Sequence, residues 1–330
     1  MTKLEPLRWG IMATGNIAAS MAEALSYVPE ATLLAVGSRS QHSADVFGEQ
    51  WGIPRCYGSY AELIADEDID VVYVATPHAF HHANVLAALD AGKHVLCEKP
   101  LTVNVSQAAG CVARAREKDL FLMEAVWMRF FPAIARLREL VHDGAVGDVE
   151  LIQADFCIDI PFDPAHRLFN LDLGGGALLD LGIYPLSFAT MLLGEPHTVD
   201  GRARIGATGV DETNSITLTF PSGAIAQLAS SSRSYQPHIA RITGREGHIE
   251  VPDFFHPGGF VLHRRRDREE FVLPARGNGY VHEVEEVHRC IAAGLTESPV
   301  MPLGETVAMM ELMDELRHGW GITYPADYQD

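Results

Sequence analysis

Apolar segments of strand length alternate with helical segments through the first third of the chain, and this alternation restricts the fold more than any other feature. Strands are predicted at residues 7–12, 31–40, 70–76 and 94–99, with helices in the intervals and at residues 103–119. Strands separated by helices of this length form βαβ units, which close into a parallel sheet with right-handed crossovers.

The pattern changes from about Asp148. Residues 148–158, 215–232, 240–252 and 260–274 indicate strands joined by short turns, hence an antiparallel sheet. A long apolar helix at residues 174–194 interrupts it, and helices at 280–294 and 303–320 follow. A hydrophobic content of 47% in 330 residues is enough for two cores. We therefore predict an α/β domain at residues 1–123 and an α+β domain with a large, mainly antiparallel sheet at 124–330.

Charge and cysteine content exclude several classes of function. A net charge of -19 argues against nucleic-acid binding, which needs clustered Lys and Arg. We find no apolar run near the roughly 20 residues that span a bilayer and no signal core at residues 1–10, so we expect a cytoplasmic protein without a membrane partner. The five cysteines are scattered and are expected to be reduced. No metal is expected, because the histidines do not cluster with carboxylates.

The turn after the first strand predicts what the parallel sheet binds. In GIMATGNIA, Ala13, Gly15 and Ala18 fit the dinucleotide fingerprint G-x-G-x-x-G/A, with Ala in the first position. Free N–H groups at the start of the following helix form an anion site. We therefore predict a doubly wound Rossmann domain that binds a dinucleotide. The expected contacts are Ala13, Thr14, Gly15, Asn16 and Ile17.

The end of the second strand indicates which dinucleotide is bound. An NAD site usually has a carboxylate there, whereas this chain has Ser38, Arg39 and Ser43. A guanidinium beside hydroxyl groups can bind a ribose phosphate. NADP is the predicted cofactor, with NAD as the alternative.

Polar side chains also follow the next two strands. Because the carboxyl ends of parallel strands lie on one edge of the sheet, these side chains should line the edge that faces the nicotinamide. They are Thr76, Pro77, His78, His81, Glu98 and Lys99. A lysine at this edge can stabilise a developing alkoxide.

Asp180 and Tyr184 stand four residues apart at the start of the apolar helix, so they are expected to share a face. A carboxylate among leucines needs a reason, because burial of an unpaired charge is costly. One alternative is a structural hydrogen bond that holds the glycine-rich turn. His166 and Arg167 on the preceding loop are candidates for substrate binding, with a solvated loop as the alternative.

The chain resembles the glucose–fructose oxidoreductase, inositol dehydrogenase and MocA family (Gfo/Idh/MocA). The matching segments are GIMATGNIA, ATPHAFHHANVLAALDAGKHVLCEKPLT and GGGALLDLGIYPL. The resemblance implies that Lys99 is the catalytic lysine, that Glu98 and Pro100 shape the cofactor pocket, and that Pro100 follows a cis peptide bond.

A second segment, FLMEAVWMRFFPAIARLREL, resembles the dihydrodiol and sugar dehydrogenase branch of that family. This resemblance implies that Trp127 and Arg129 lie near cofactor and substrate; an aromatic stripe is otherwise typical of a core. It also implies that Asp180 and Tyr184 are the acid and its partner. Tyr184 departs from the histidine of inositol dehydrogenases and matches the dihydrodiol and glucose–fructose enzymes.

The predicted function is NADP-dependent hydride transfer to or from a CH–OH group of a pyranose sugar or vicinal diol. Tyr184 exchanges the hydroxyl proton, Lys99 stabilises the charge, and Asp180 orients the substrate; which of Lys99 and Tyr184 formally moves the proton stays open. The alternatives are a trans-dihydrodiol dehydrogenase, a keto-sugar reductase, or a non-catalytic NADP sensor. A homodimer or tetramer is expected through the exposed face of the second sheet.

Overall fold

The computed structural model describes residues 6–328, which separate into two units. The first unit comprises the described residues up to Trp127 together with Arg276–Val307, and the second comprises Met128–Ala275 together with the described residues from Ala308 onwards. The predicted boundary at 123/124 lies four residues before the observed division. The return of residues 276–307 to the first unit is a feature that the sequence did not indicate. The expectation about the N-terminus rests partly on residues 1–5, which lie outside the described residues.

The first unit contains a parallel sheet of six strands in the order β3-β2-β1-β4-β5-β6. The strands are β1 (Leu7–Met12), β2 (Ala31–Gly37), β3 (Arg55–Tyr57), β4 (Val71–Val74), β5 (His94–Glu98) and β6 (Leu122–Ala125). The helices along this part of the chain are α1 (Asn16–Ser26), α2 (Gln41–Trp51), α3 (Tyr60–Ala65), α4 (His81–Asp90) and α5 (Val105–Lys118). This strand order is that of the doubly wound dinucleotide-binding fold, and its direction of winding reverses between β1 and β4. The predicted Rossmann sheet is confirmed.

Local signals explain where several helices begin. The Ser40 hydroxyl accepts a hydrogen bond from the N–H of Ser43 at the start of α2, and Asn104 caps α5 in the same way through Gln107. Ser, Thr, Asp and Asn are preferred at this position because their side chains satisfy an N–H group that has no partner within the helix. The sequence therefore determines these boundaries within a few residues.

The second unit contains a sheet of eight strands in the order β14-β13-β12-β11-β7-β10-β9-β8. These are β7 (Val149–Cys157), β8 (Thr198–Ile205), β9 (Asp211–Thr219), β10 (Ile225–Ser231), β11 (Ala240–Gly244), β12 (His248–Val251), β13 (Gly259–Arg264) and β14 (Asp267–Val272). All neighbouring pairs are antiparallel except β7 with β10. The prediction of a mainly antiparallel sheet is confirmed.

Four further helices complete the fold: α6 (Pro132–His142), α7 (Ile183–Leu193), α8 (Val281–Ala292) and α9 (Leu303–Gly319). Short 3-10 turns lie at His78–Phe80, Trp127–Phe130, Arg167–Phe169, Leu171–Leu173 and Pro325–Tyr328. α7 packs on β7 and β10, so one face of the second sheet is covered by an apolar helix.

One expectation about local structure was wrong. Residues 260–274 form the hairpin β13–β14, whose turn places Arg265 at φ +52°. The predicted regular helix at residues 174–194 begins instead with a π-helical segment at Leu178–Gly182. Asp180 and Tyr184 are therefore not separated by one regular α-helical turn. π-Helical turns occur often at functional sites.

The statement that no apolar run approaches membrane length was also too strong. Leu171–Leu193 is 23 residues long and has a mean hydropathy of 1.5, which meets the length and composition needed to cross a bilayer. Of an apolar segment of 18 residues within this stretch, 78% is buried inside the protein. That burial is what a core helix of the second unit requires.

Candidate active site

The turn between β1 and α1 has the form of a dinucleotide loop. Ala13, in the first fingerprint position, has a φ of +103° and its N–H donates to the carbonyl of Gly37 at 2.9 Å. Thr14 is half-buried and Gly15 begins the helix with extended backbone. Asn16 and Ile17 form the first turn of α1, which contains no acidic residue.

This turn fits a pyrophosphate group. A Cβ at Gly15 would meet no heavy atom of the described chain within 4 Å, so the space in front of the helix is open. No described side chain caps α1, which leaves its first N–H groups for an anion. The residues present therefore fit a dinucleotide that binds with its pyrophosphate at Gly15.

The end of β2 presents a cation and hydroxyl groups. Ser38 is buried and its N–H donates to the carbonyl of Tyr57 at 3.0 Å, whereas Arg39 is exposed. The Ser43 hydroxyl bonds to the Ser40 hydroxyl at 3.1 Å, within the cap of α2. Ser43 therefore has a structural role at the start of α2. Of the predicted phosphate-binding residues, Arg39 has the most exposed side chain.

The carboxyl end of β4 is braced by a buried histidine. His81 is fully buried, and its Nδ1 and Nε2 lie 2.8 Å from the Pro100 carbonyl oxygen and 2.7 Å from the Thr76 carbonyl oxygen. Burial lowers the pKa of His81. The side chain therefore ties the loop after β4 to the loop after β5. Pro77 and His78 lie in the same loop, and the His78 ring meets that of His81 edge-on at 5.7 Å.

Lys99 follows β5 directly, and the Lys99–Pro100 peptide bond is cis, as the family resemblance implied. The Lys99 N–H donates to the carboxylate of Glu98 at 3.2 Å. Glu98 is buried and also accepts a short hydrogen bond from the hydroxyl of Tyr73 on β4. Burial and the charge of Glu98 raise the pKa of Tyr73. Glu98 therefore fixes the backbone from which Lys99 projects.

The segment that returns to the first unit brings two residues that the sequence analysis missed. Tyr280 stacks on Trp127 with ring centroids 4.2 Å apart and an interplanar angle of 17°. Glu283, one turn further along α8, is completely buried. The sequence pattern did not single out these two residues, because a tyrosine and a glutamate are common in an acidic helix.

In the second unit, Asp180 is paired with Arg167. The carboxylate is 4% exposed and accepts two hydrogen bonds from the guanidinium, at 2.9 and 3.1 Å. Arg167 is half-exposed, so its outer surface reaches solvent. The structure thus brings together two predicted site residues and compensates the buried charge of Asp180. A bidentate pair holds both groups in a defined orientation.

Tyr184 lies in aromatic surroundings. Its ring meets Phe156 edge-on with centroids 5.1 Å apart and lies 6.2 Å from Phe255. Phe156 and Phe255 stack on each other at 4.4 Å, and His238 packs against both rings. Tyr184 is only 6% exposed. This cluster was not predictable from the sequence, because its members come from distant strands and loops.

Two other predicted site residues, Arg129 and His166, form hydrogen bonds within the second unit. Arg129 is buried and its Nε donates to the hydroxyl of Ser187 on α7 at 2.8 Å, so it supports the helix that carries Tyr184. His166 accepts a hydrogen bond from the N–H of Leu168 at 3.3 Å and starts the short turn that holds Arg167.

The glycine-rich turn before Asp180 is held from two sides by residues that the sequence analysis missed. Asp211 on β9 is buried and accepts hydrogen bonds from the Leu178 N–H at 2.9 Å and the Asn214 amide at 2.8 Å. The hydroxyl of Tyr324 donates to the Gly175 carbonyl at 2.7 Å. Burial raises the pKa of Asp211 to about 6. Within residues 6–328 there is no group of three or more metal-ligating side chains.

Comparison with known families identifies both parts of the chain. Residues 7–126 match an oxidoreductase family described by an NAD-binding Rossmann fold, and residues 134–250 match the GFO/IDH/MocA C-terminal domain. The chain is therefore an oxidoreductase with a nicotinamide-dinucleotide-binding domain. It belongs to the Gfo/Idh/MocA family, as the resemblance of its motifs indicated.

Similar proteins include two dehydrogenases that align over nearly their whole length. The trans-1,2-dihydrobenzene-1,2-diol dehydrogenases of Mus musculus and Xenopus tropicalis are each 39% identical to the chain, which they cover to 97% and 96%; 99% of each relative is matched. Among solved structures, one similar protein is a 3-ketoreductase from Actinomadura kijaniata in complex with NADP and TDP-benzene. It is 29% identical to this chain with a TM-score of 0.86, and the match covers 96% of this chain and 98% of the ketoreductase. An aldose-aldose oxidoreductase from Caulobacter crescentus, complexed with glycerol, is 27% identical with a TM-score of 0.87, with coverages of 95% and 97%.

Proposed function

We propose that this oxidoreductase uses NADP to oxidise a CH–OH group of a cyclic vicinal diol, in the manner of the dihydrodiol dehydrogenases that it resembles. The observation that carries the proposal is the setting of Tyr184, a phenol bordered by Phe156 and Phe255 and close in sequence to the Asp180–Arg167 pair. Aromatic walls favour a flat apolar ring, and the charged pair favours hydroxyl groups.

A keto-sugar reductase is the second candidate. The similarity to the 3-ketoreductase and to the aldose-aldose oxidoreductase supports it. The half-exposed guanidinium of Arg167 could bind sugar hydroxyls as well as those of a diol. The sensor hypothesis is disfavoured, because Lys99, Asp180 and Tyr184 are all present.

The roles of the chain's residues follow from their chemistry. Bound NADP supplies the hydride acceptor. Tyr184 accepts the substrate hydroxyl proton as the carbon–hydrogen bond breaks, Lys99 stabilises the alkoxide charge, and Asp180 with Arg167 orients the second hydroxyl. In reduction, Tyr184 returns the proton to the oxygen.

The cofactor preference is assigned to the end of β2. Ser38 and the exposed Arg39 occupy the place where NAD-binding proteins carry a carboxylate, and a guanidinium attracts a ribose phosphate. We therefore propose NADP over NAD. Lower activity with NADP than with NAD would contradict this part of the proposal.

The test is turnover of a trans-dihydrodiol and a set of aldoses with NADP, and with NAD in parallel. Lys99→Met should abolish turnover while NADP still binds, because the alkoxide loses its cation. The matched control is Lys118→Met at the end of α5, where the lysine is surface-exposed; this variant should retain full activity. Near-normal turnover by Lys99→Met would contradict the catalytic assignment.

The assembly is proposed to be a homodimer or tetramer in the cytoplasm, built on the uncovered face of the second sheet. Exposed residues of β7, β9, β10 and β11 line a concavity of about 480 Å³ there, among them Gln153, Gln227 and Arg241. Reduced thiols are typical of the cytoplasm. Sedimentation should show a dimer that Gln227→Arg weakens and Ser222→Arg, in a turn, does not; a monomeric wild-type protein would refute the assembly.

A further inference from the structure

Glu283 is buried more completely than any group that the proposed chemistry uses. Its side chain has no exposure, and neither carboxyl oxygen has a hydrogen-bond partner among residues 6–328. On the same helix it lies among Val281, Val284 and Val287, which are also buried. A carboxylate ion without a partner cannot be kept in such a place at neutral pH, so the group is held as a neutral acid.

The electrostatic surroundings support a bound proton. Burial raises the pKa of Glu283 well above its ordinary value, and the charge of Glu98 raises it further. From the sheet, Tyr73 and Glu98 face it, and Tyr280, the residue before α8, lies three residues earlier in the chain. On α1, the Glu23 carboxylate is engaged by Tyr27 and Asn278.

The remaining charged groups of α8 have partners of their own. Glu286 is held by Arg289 and by the hydroxyl of Ser298, and Glu285 pairs with Arg276. His282 lies 3.8 Å from Glu285. Burial lowers the pKa of His282 and of His288.

Glu98 and Glu283 therefore differ in charge. Glu98 accepts hydrogen bonds from the Tyr73 hydroxyl and from the Lys99 N–H, which stabilise a carboxylate. Glu283 accepts no hydrogen bond from any donor among residues 6–328. Two neighbouring acids in these environments carry one negative charge, located on Glu98, and one proton, located on Glu283.

The position of this pair links it to the cofactor. Glu98 ends β5, and Tyr73 lies on β4, one of the two strands between which the winding of the sheet reverses. In such sheets the dinucleotide binds beyond these carboxyl ends. Oxidised nicotinamide carries a positive charge that the reduced ring lacks, and a nearby positive charge favours ionisation of an acid.

We propose that Glu283 holds a proton that is released when NADP⁺ binds and is taken up again when the nicotinamide is reduced. The inference rests on the proposed cofactor site. When NADP⁺ binds, the Glu283 carboxylic acid gives one proton to solvent. Hydride transfer removes the positive charge of the ring, and the carboxylate then takes up one proton, which balances the one proton that oxidation of the alcohol releases.

The test compares the dissociation constants of NADP⁺ and NADPH between pH 6 and 9, by quenching of tryptophan fluorescence. In the wild-type protein NADP⁺ should gain affinity relative to NADPH as pH rises, by at most about tenfold per pH unit for one linked proton. Titration of the cofactor phosphates affects the dissociation constants of NADP⁺ and NADPH equally, so it cancels in their ratio. Glu283→Gln cannot release a proton, so its ratio should not change with pH.

A matched control and a second measurement separate the outcomes. Glu286→Gln changes the same group one turn along α8 and should keep the wild-type dependence. Mixing wild-type protein with NADP⁺ in weakly buffered dye solution should release up to one proton, and Glu283→Gln should release none. An equal slope in Glu283→Gln and wild type, or a flat wild-type ratio with both cofactors bound, would overturn the inference alone. Failure to bind either cofactor would overturn the proposed function.

Discussion

Asp211→Asn is expected to stabilise the protein at neutral pH and to have a smaller effect in acid. Asp211 lies under the glycine-rich turn, completely buried, and accepts the Leu178 N–H and the Asn214 amide through one oxygen. Its second oxygen has no partner among the described residues. An asparagine can keep the accepting oxygen in place while it removes the buried charge.

The magnitude follows from the shifted pKa. Burial raises the pKa of Asp211 from 3.8 to about 6, against the smaller opposing effect of its hydrogen bonds. At ~1.4 kcal/mol per pKa unit this shift is worth about 3 kcal/mol. Because the folded state binds the proton more tightly than the unfolded state, the free energy of unfolding falls as pH rises from about 3.8 to about 6. Between pH 4.5 and 7.5 the wild-type protein should therefore lose about 2 kcal/mol that the variant does not lose.

Urea unfolding of both proteins at pH 4.5, 5.5, 6.5 and 7.5, followed by circular dichroism, measures this difference. The control is Glu212→Gln at the next residue, where the carboxylate faces Arg233 at 3.6 Å. Because that charge has a partner, its removal should destabilise the protein at pH 7.5. A constant difference between wild type and Asp211→Asn across the four pH values would refute the reasoning.

Three further substitutions, one of them a control within a helix, test the backbone at two turns. Ala13→Gly should raise the free energy of unfolding by about 1 kcal/mol, because glycine relieves the positive φ of Ala13. The control is Ala18→Gly in the interior of α1, which should lower the free energy of unfolding by about 1 kcal/mol. Thermal or urea melts measure both changes. Tyr324→Phe should cost about 1–3 kcal/mol, because the buried carbonyl of Gly175 loses its donor. An unchanged midpoint in Tyr324→Phe would show that the hydrogen bond contributes nothing.

The first sheet was predictable because each of its long strands is an apolar run with a turn signal at its end. β1 was placed at its observed bounds, and the chemistry of the Gly15 turn follows from the spacing of small residues. The short strands β3 (Arg55–Tyr57) and β6 (Leu122–Ala125) and the helix α3 (Tyr60–Ala65) were missed. Three residues carry too little periodicity to predict a strand, and β3 owes its structure to pairing with β2.

The second unit was predictable in class but not in detail. β8 (Thr198–Ile205) was missed because its exposed residues include arginines and few apolar side chains. The π-helical segment at Leu178–Gly182 has no residue pattern of its own, since it depends on how the glycine-rich turn is held by Asp211.

The residues of the candidate site also differ in whether the sequence predicts them. Lys99 was predicted from sequence because a lysine directly after a buried strand lies at the carboxyl edge of a parallel sheet, and the structure places it directly after β5. Glu283 could not be found, because its chemistry depends on the return of α8 to a unit that its sequence position does not indicate. A glutamate on an acidic helix is ordinarily exposed, and only burial beside Glu98 makes its proton relevant to the cofactor. Sequence therefore identifies a residue such as Lys99, which lies at the end of a strand. A residue such as Glu283, whose protonation depends on burial beside Glu98, is identified only when the packing of distant segments is known.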